Sequence, residues 1–270
     1  MNKVLIYIVS FIIIGCKTNN EKNEVFVLPT LINSQDNDTL ERANFTAKYV
    51  SQVFPEFVGK FKFKNYIDIN PLKRDTSIYK DFIWDYSRVE IDDSLDVNGF
   101  DLIVDYETTV FYNQDVTHGF SNTLFSYYPV YFVNSSNSDK IFLGKDSYAY
   151  GIQEARMNEQ FSDWQPIEGR GFDFCGNGTF GLIVRPKEFV IVLMKKYEGN
   201  YKAPLRVRFQ QDESIYVSKP FYGYIDTNQF TIQDSTYLSR RLQETNGKAA
   251  TWLFYGAVPK EEEWVVKTIN

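Results

Sequence analysis

From residue 121 onward the chain consists of short apolar runs, each closed by a turn signal. That punctuation constrains the fold more than any other feature. The runs are Pro129–Asn134, Lys140–Gly144, Tyr148–Gln153, Gly171–Phe174, Phe180–Val184, Glu188–Met194, Leu205–Gln210, Ile215–Ser218, Phe221–Ile225 and Gln229–Ile232. Between them stand Asn134–Asp139, Gly176-Asn177-Gly178, Pro186-Lys187, Glu198-Gly199-Asn200 and Gln211-Asp212-Glu213. Short strands at this spacing predict a mainly β fold, an antiparallel sandwich of immunoglobulin-like or jelly-roll kind.

A different pattern precedes them. Asp38-Thr39-Leu40-Glu41 has the form of a capping box, and Leu40, Ala43, Ala47, Val50 and Phe54 follow at helical spacing, up to Pro55. Phe61 and Phe63 then alternate with Lys60, Lys62 and Lys64, as in a strand with one wet face. Phe100, Leu102, Val104, Tyr106, Thr108, Val110 and Tyr112 share a face of a long strand, which reads as a hairpin with Ile78–Ile91. Residues 38–117 are thus expected to form a small helix-on-sheet α+β region, and 118–235 the sandwich. Residues 236–270 should hold a helix near Thr236–Thr245 and a last strand at Thr251–Tyr255.

The N-terminus carries an address. Lys3 precedes an apolar run, Val4–Ile14, too short to span a bilayer as a helix, which takes about 20 residues. Ile13-Ile14-Gly15-Cys16 resembles the lipobox of bacterial lipoprotein signal peptides. The resemblance implies removal of residues 1–15, lipidation of Cys16 and a membrane-anchored envelope protein. By resemblance to the enteric sorting rule, Lys17 favours the outer membrane. Residues 16–37 then form the lipidated Cys and a flexible, polar tether.

Loss of residues 1–15 removes Lys3 alone, leaving 28 basic against 35 acidic residues. That acidity argues against nucleic acid as a partner. Aromatic residues make up 17% of the chain, with 23 Phe, 19 Tyr and 4 Trp. They fit pleated, half-buried surfaces, and Trp84, Trp164 and Tyr222 are candidate platforms for sugar rings. Between Arg185 and Arg208 stand seven basic residues and two Glu. Arg206 and Arg208 share a strand face opposite Leu205, Val207 and Phe209, and offer a site for an anionic ligand.

Other motifs point away from chemistry. Gly176–Gly181 matches GxGxxG, but Leu182-Ile183-Val184 continues as a strand, so it reads as a hairpin and not a phosphate loop. Asp92–Asn98 alternates oxygen ligands without the spacing of an EF-hand, and reads as a solvated loop. His118 is the only histidine, and no Gly-x-Ser-x-Gly accompanies it. Cys175, in Phe172-Asp173-Phe174-Cys175, reads as a buried small hydrophobe. Glu154, Glu159, Asp163 and Glu168 surround Trp164 and are the place to seek a carboxylate pair. No cofactor or metal is expected. The reading that results is an envelope lipoprotein that binds or assembles without catalysis. The alternatives are a glycan-binding module, or a glycoside hydrolase with an unidentified carboxylate pair.

Overall fold

The computed structural model describes residues 25–36, 39–73, 75–84, 99–113, 123–157, 163–170, 178–211 and 214–255. Cys16, the Asp92–Asn98 loop, His118, Glu159, the Gly171–Phe174 strand and Cys175 lie outside them. The protein is mainly β. Its first strands are β1 (Thr30–Ile32), β2 (Glu41–Ala43), β3 (Gln52–Val53), β4 (Glu56–Lys62), β5 (Tyr66–Asp68), β6 (Phe82–Trp84), β7 (Asp101–Val104) and β8 (Val110–Tyr112). Then come β9 (Thr123–Val133), β10 (Lys140–Lys145), β11 (Tyr148–Ala149), β12 (Gly151–Ala155), β13 (Gln165–Pro166) and β14 (Gly169–Arg170). The last are β15 (Thr179–Val184), β16 (Glu188–Lys195), β17 (Tyr201–Gln211), β18 (Ser214–Val217) and β19 (Phe221–Ile225). Helices α1 (Tyr237–Glu244) and α2 (Ala250–Tyr255) follow. None of the described helices is long and apolar enough to cross a membrane.

Ten strands form the large sheet. Its antiparallel spine runs β9-β16-β4-β11-β10-β15-β6; β7 and β8 also pair with β9, and β2 adds a short parallel pairing at its start. In the small sheet β17 pairs with β12 along one edge and with β18 and β19 along the other, while β13 flanks β12. Two parallel pairs, β1–β5 and β3–β14, complete the ladders.

Alternation along the central strands decides the layering. Tyr128, Val130 and Phe132 of β9, with Val190, Val192 and Met194 of β16, face Val207 and Phe209 of the small sheet. Tyr127, Tyr131 and Val133, with Phe189, Ile191 and Leu193, point the other way. Since neighbouring residues of a strand point to opposite faces, the large sheet is buried on both. The second face is covered by Ile67 and Ile69 and by the chain at Phe26 and Leu31. Phe26 packs among Phe63, Tyr131 and Phe189 at ring separations of 5.0–5.7 Å, so residues 25–36 are a packed strap and not part of a loose tether. The aromatic load goes largely into such contacts. Phe132 alone meets Phe100, Phe142, Phe209 and Tyr216 edge-on, and such pairs add about 0.5–1.5 kcal/mol each beyond burial.

Several expectations are corrected. No helix forms over 39–54; β2 and β3 occur there instead, joined by irregular chain with isolated bridges at Phe45 and Val50. Asn44-Phe45-Thr46 and Tyr49-Val50-Ser51 are weak helix formers. Their apolar side chains also find separate partners, Phe45 against Phe125 and Val50 in the cluster with Ile152 and Leu238. Phe100–Tyr112 is broken into β7 and β8, which pair with β9, while β6, the described strand within Ile78–Ile91, pairs with β15. The break falls opposite Tyr128-Pro129, and Pro129 has no N–H to continue a ladder. Thr76–Asp81 is a 3-10 turn ahead of β6. Gln229–Ile232 is not a strand: Asp226 and Gln229 form a capping box on a 3-10 turn, Thr227–Phe230. Tyr148–Gln153 divides between the two sheets at Gly151, where a Cβ would lie 2.4 Å from the Phe209 ring. Thr251–Tyr255 is helical, in α2, whereas α1 lies where a helix was expected, capped by Thr236. Strands from both sides of the 117/118 boundary share the large sheet.

The wet face expected at Lys60 is also absent. Its ammonium is buried, 2.6 Å from Asp81 and 2.8 Å from Glu188, and donates to the Ile183 carbonyl at 3.0 Å. Arg185 reaches Asp81 at 2.7 Å. Lys60→Met removes the cation that two buried carboxylates share, leaving Asp81 to Arg185 and Glu188 to the Arg185 amide N–H, and should cost about 3–5 kcal/mol in urea unfolding. The Arg185 guanidinium, and next the Lys60 ammonium, hold the Asp81 carboxyl far below its ordinary 3.8. A depressed carboxyl contributes stability that is complete above its unfolded value and lost as pH falls through the folded one. Stability should therefore decline with acid below about pH 4, and Asp81→Asn should be weaker at neutral pH with a shallower decline. Urea midpoints across the acid range measure both.

Candidate functional site

Odd residues of β17 point inward: Ala203, Leu205, Val207 and Phe209 are buried. Even ones take the outer face, as the sequence alternation predicts for Arg206 and Arg208. Register extends that face across the sheet. Glu154 lies opposite Arg206 and Ile152 opposite Arg208 on β12, while Tyr222 lies opposite Pro204 and Tyr224 opposite Lys202 on β19. Helices α1 and α2 cover one end, packing Leu238, Leu253 and Phe254 around Ile152. The other end is open, with Tyr222 and Tyr224 54% and 51% exposed.

At the boundary stands a stack of cations and rings. Trp164 lies between two guanidiniums, Arg156 at 4.6 Å and Arg206 at 4.4 Å from its ring centroid. The Arg208 guanidinium sits 3.8 Å over the Tyr255 ring. Arg206 donates its Nε–H to Glu154 at 2.5 Å, and the Tyr255 hydroxyl also bonds Glu154. Burial, and next the Glu154 charge, push the Tyr255 phenol up. The Nε–H groups of Arg156 and Arg208 are buried without an acceptor among the described residues. Ring faces, not hydrogen bonds through Nε, hold these two guanidiniums.

Of the candidates read from sequence, the structure brings Trp164, Arg206 and Arg208 together and sets Tyr222 on the same face. Trp84 does not join them. It lies on β6 of the large sheet, stacked on Phe82 at 5.0 Å. Arg156, Lys202 and Tyr255 were missed, and Glu154 was read as a possible catalytic carboxylate and not as the partner of Arg206. Strand parity could have found Lys202, but Glu154 is 52 residues from Arg206 and Tyr255 comes from a helix misread as a strand.

The carboxylates separate. Glu154 is outward on β12, whereas Glu168 lies inside. It accepts from the Gln153 amide N–H at 2.8 Å, the Gln153 side chain at 3.2 Å and the Tyr197 hydroxyl at 2.6 Å. Burial raises the Glu168 carboxyl and lowers the Lys195 ammonium nearby. Glu154 and Glu168 thus occupy opposite faces of β12 and do not form the facing pair of glycoside hydrolysis. A small depression beside β4 holds Asp68, but its carboxylate is already bonded to Ser34, Asn70 and Lys73. Among the described residues no group of His, Cys, Asp and Glu could hold a metal ion. The described part of GxGxxG turns at Gly178 (φ 80°) and enters β15, not a helix.

The chain matches no protein-family model, no curated protein and no solved structure.

Trp164→Ala removes two cation–ring contacts at a partly buried site and should cost about 1–2 kcal/mol. Glu168→Ala strands the Gln153 amide and the Tyr197 hydroxyl inside, and should cost more, about 3 kcal/mol. Urea unfolding of both variants tests that order.

Proposed function

We propose that the chain is a lipid-anchored protein of the bacterial envelope, most naturally the outer membrane, that binds a partner on the small sheet's outer face without catalysing a reaction. The packed sheets support a β-sandwich; neither the immunoglobulin-like nor the jelly-roll arrangement is assigned. One observation carries the functional reading, the order of the layers. The strap at Phe26 and Leu31 lies on one face of the large sheet, and the small sheet lies on the other. Eight residues separate Cys16 from Val25, a reach of about 30 Å at full extension. With Cys16 lipidated, the strap is the layer nearest the bilayer. Each packed sheet adds about 10 Å, so the cation-and-ring face looks away from the membrane.

Two tests address the two halves. Cys16→Ser should abolish incorporation of labelled palmitate and move the protein from the membrane to the soluble fraction; retention of both overturns the anchor. For orientation, a fluorophore is placed at Lys73→Cys or Lys202→Cys, in a Cys175→Ser background, on protein anchored in vesicles with quencher-bearing headgroups. Quenching should be strong at 73 and weak at 202. The reverse order overturns the proposal that the small sheet faces outward.

A further inference from the structure

We propose that the open part of this face is a binding site for a polyuronate, a polysaccharide whose sugar rings carry carboxylates. The inference rests on the reading of that face as the binding face. Tyr222 and Tyr224 are two residues apart on one strand, so their rings stand about 7 Å apart on the same side, half exposed at the end the helices leave uncovered. The flat faces of pyranose rings stack on such platforms. Beside them Lys202, 5.5 Å from the Tyr222 ring centroid, joins Arg156, Arg206 and Arg208. Among the described residues, Glu154, buried and already engaged, and Asp163 beside Trp164 stand against these four cations, on a chain whose net charge is −6.

The charge complementarity selects an anion, and the geometry selects its kind. A guanidinium's planar fork matches a carboxylate, and Arg206 already makes that contact within the chain through Nε, which leaves its Nη donors to other partners. Arg156 and Arg208 are held by the faces of Trp164 and Tyr255, and their buried Nε–H groups have no acceptor among the described residues. A compact anion such as phosphate would use the cations and ignore the tyrosines; a neutral glycan would use the tyrosines and ignore the cations. A polymer alternating ring faces and carboxylates uses both. Ring-stacked guanidiniums are fixed in place before the ligand arrives, which limits the ordering cost on binding.

Calorimetric titration of the full chain in detergent micelles tests this, with polygalacturonate fragments as probe, dextran as the neutral control and polyphosphate as the charge-only control. Polygalacturonate should bind, weakening as salt screens the cations, and dextran should not. Tyr222→Ala with Tyr224→Ala, both at exposed positions, should weaken binding at least about tenfold, and Lys202→Gln should weaken it less, with unfolding midpoints near that of the parent. Equal binding of dextran overturns the inference, as does polyphosphate binding equally tightly or an unchanged affinity in the tyrosine variant. Failure to bind any polysaccharide overturns it as well. The binding-face reading falls with it only if the tyrosine variant also leaves crosslinking to other envelope components unchanged.

Discussion

The large sheet is buried on both faces, and most of the architecture follows from that. A strand with one wet side can alternate polar and apolar residues, but β16 cannot. From Phe189 to Met194 every side chain is buried, so the run is continuously apolar, as expected wherever a sheet is covered on both sides. Two separate covers are then required. The small sheet provides one through Val207 and Phe209. The other comes from short segments, where the strap adds Phe26 and Leu31 and the β5 region adds Ile67 and Ile69.

Double burial also determines how charge is handled inside. Lys60 lies in a strand that has no wet side at that point, so its ammonium must find anions in the protein. It draws together β4, the 3-10 turn at Thr76–Asp81, β16 and a β15 carbonyl. Such a cluster is not a large source of net stability, since buried ion pairs are near parity with well-packed apolar replacements. Its effect is on alternatives: a shift of β4 by one residue would leave Asp81 and Glu188 without their cation. Glu168 plays a comparable part between the sheets. It gathers Gln153 and Tyr197 around one carboxylate and excludes arrangements that would separate them.

What could be read from the sequence was periodicity of two in strands with a single role. Arg206 and Arg208 against Leu205, Val207 and Phe209 is the clearest case, and the mainly β class rests on many such runs. What could not be read were features set by distant partners. The helical spacing of Ala43, Ala47 and Val50 is real, yet each of these residues belongs to a different part of the structure. Pro129 breaks a strand that is continuous in its own alternation, because the interruption lies in the neighbour. Glu154 and Trp164 lie close together in sequence, as do Arg206 and Arg208, but only strand register shows that the two pairs share a face. Sequence also grouped Glu154 with Glu168, but Glu154 points outward from β12 whereas Glu168 bonds Gln153, its neighbour of opposite parity, inside.

That parity bears on how the face can work. Along β17, Ala203, Leu205, Val207 and Phe209 build the core, while Lys202, Arg206 and Arg208 build the outer surface. Since alternate residues serve the two faces, cations and rings outside can be exchanged with little effect on packing inside. The exception is Glu154, which accepts from both Arg206 and Tyr255 and so links the face to α2. If α2 shifted, Arg208 would lose its ring and Glu154 one of its donors. The C-terminal helices therefore do more than shield Ile152: they hold Arg206 and Arg208 in fixed positions on the face that also carries the exposed tyrosines. The cations of this face are thus ordered by packing on the covered end of the same sheet, the preorganisation that the proposed binding would need.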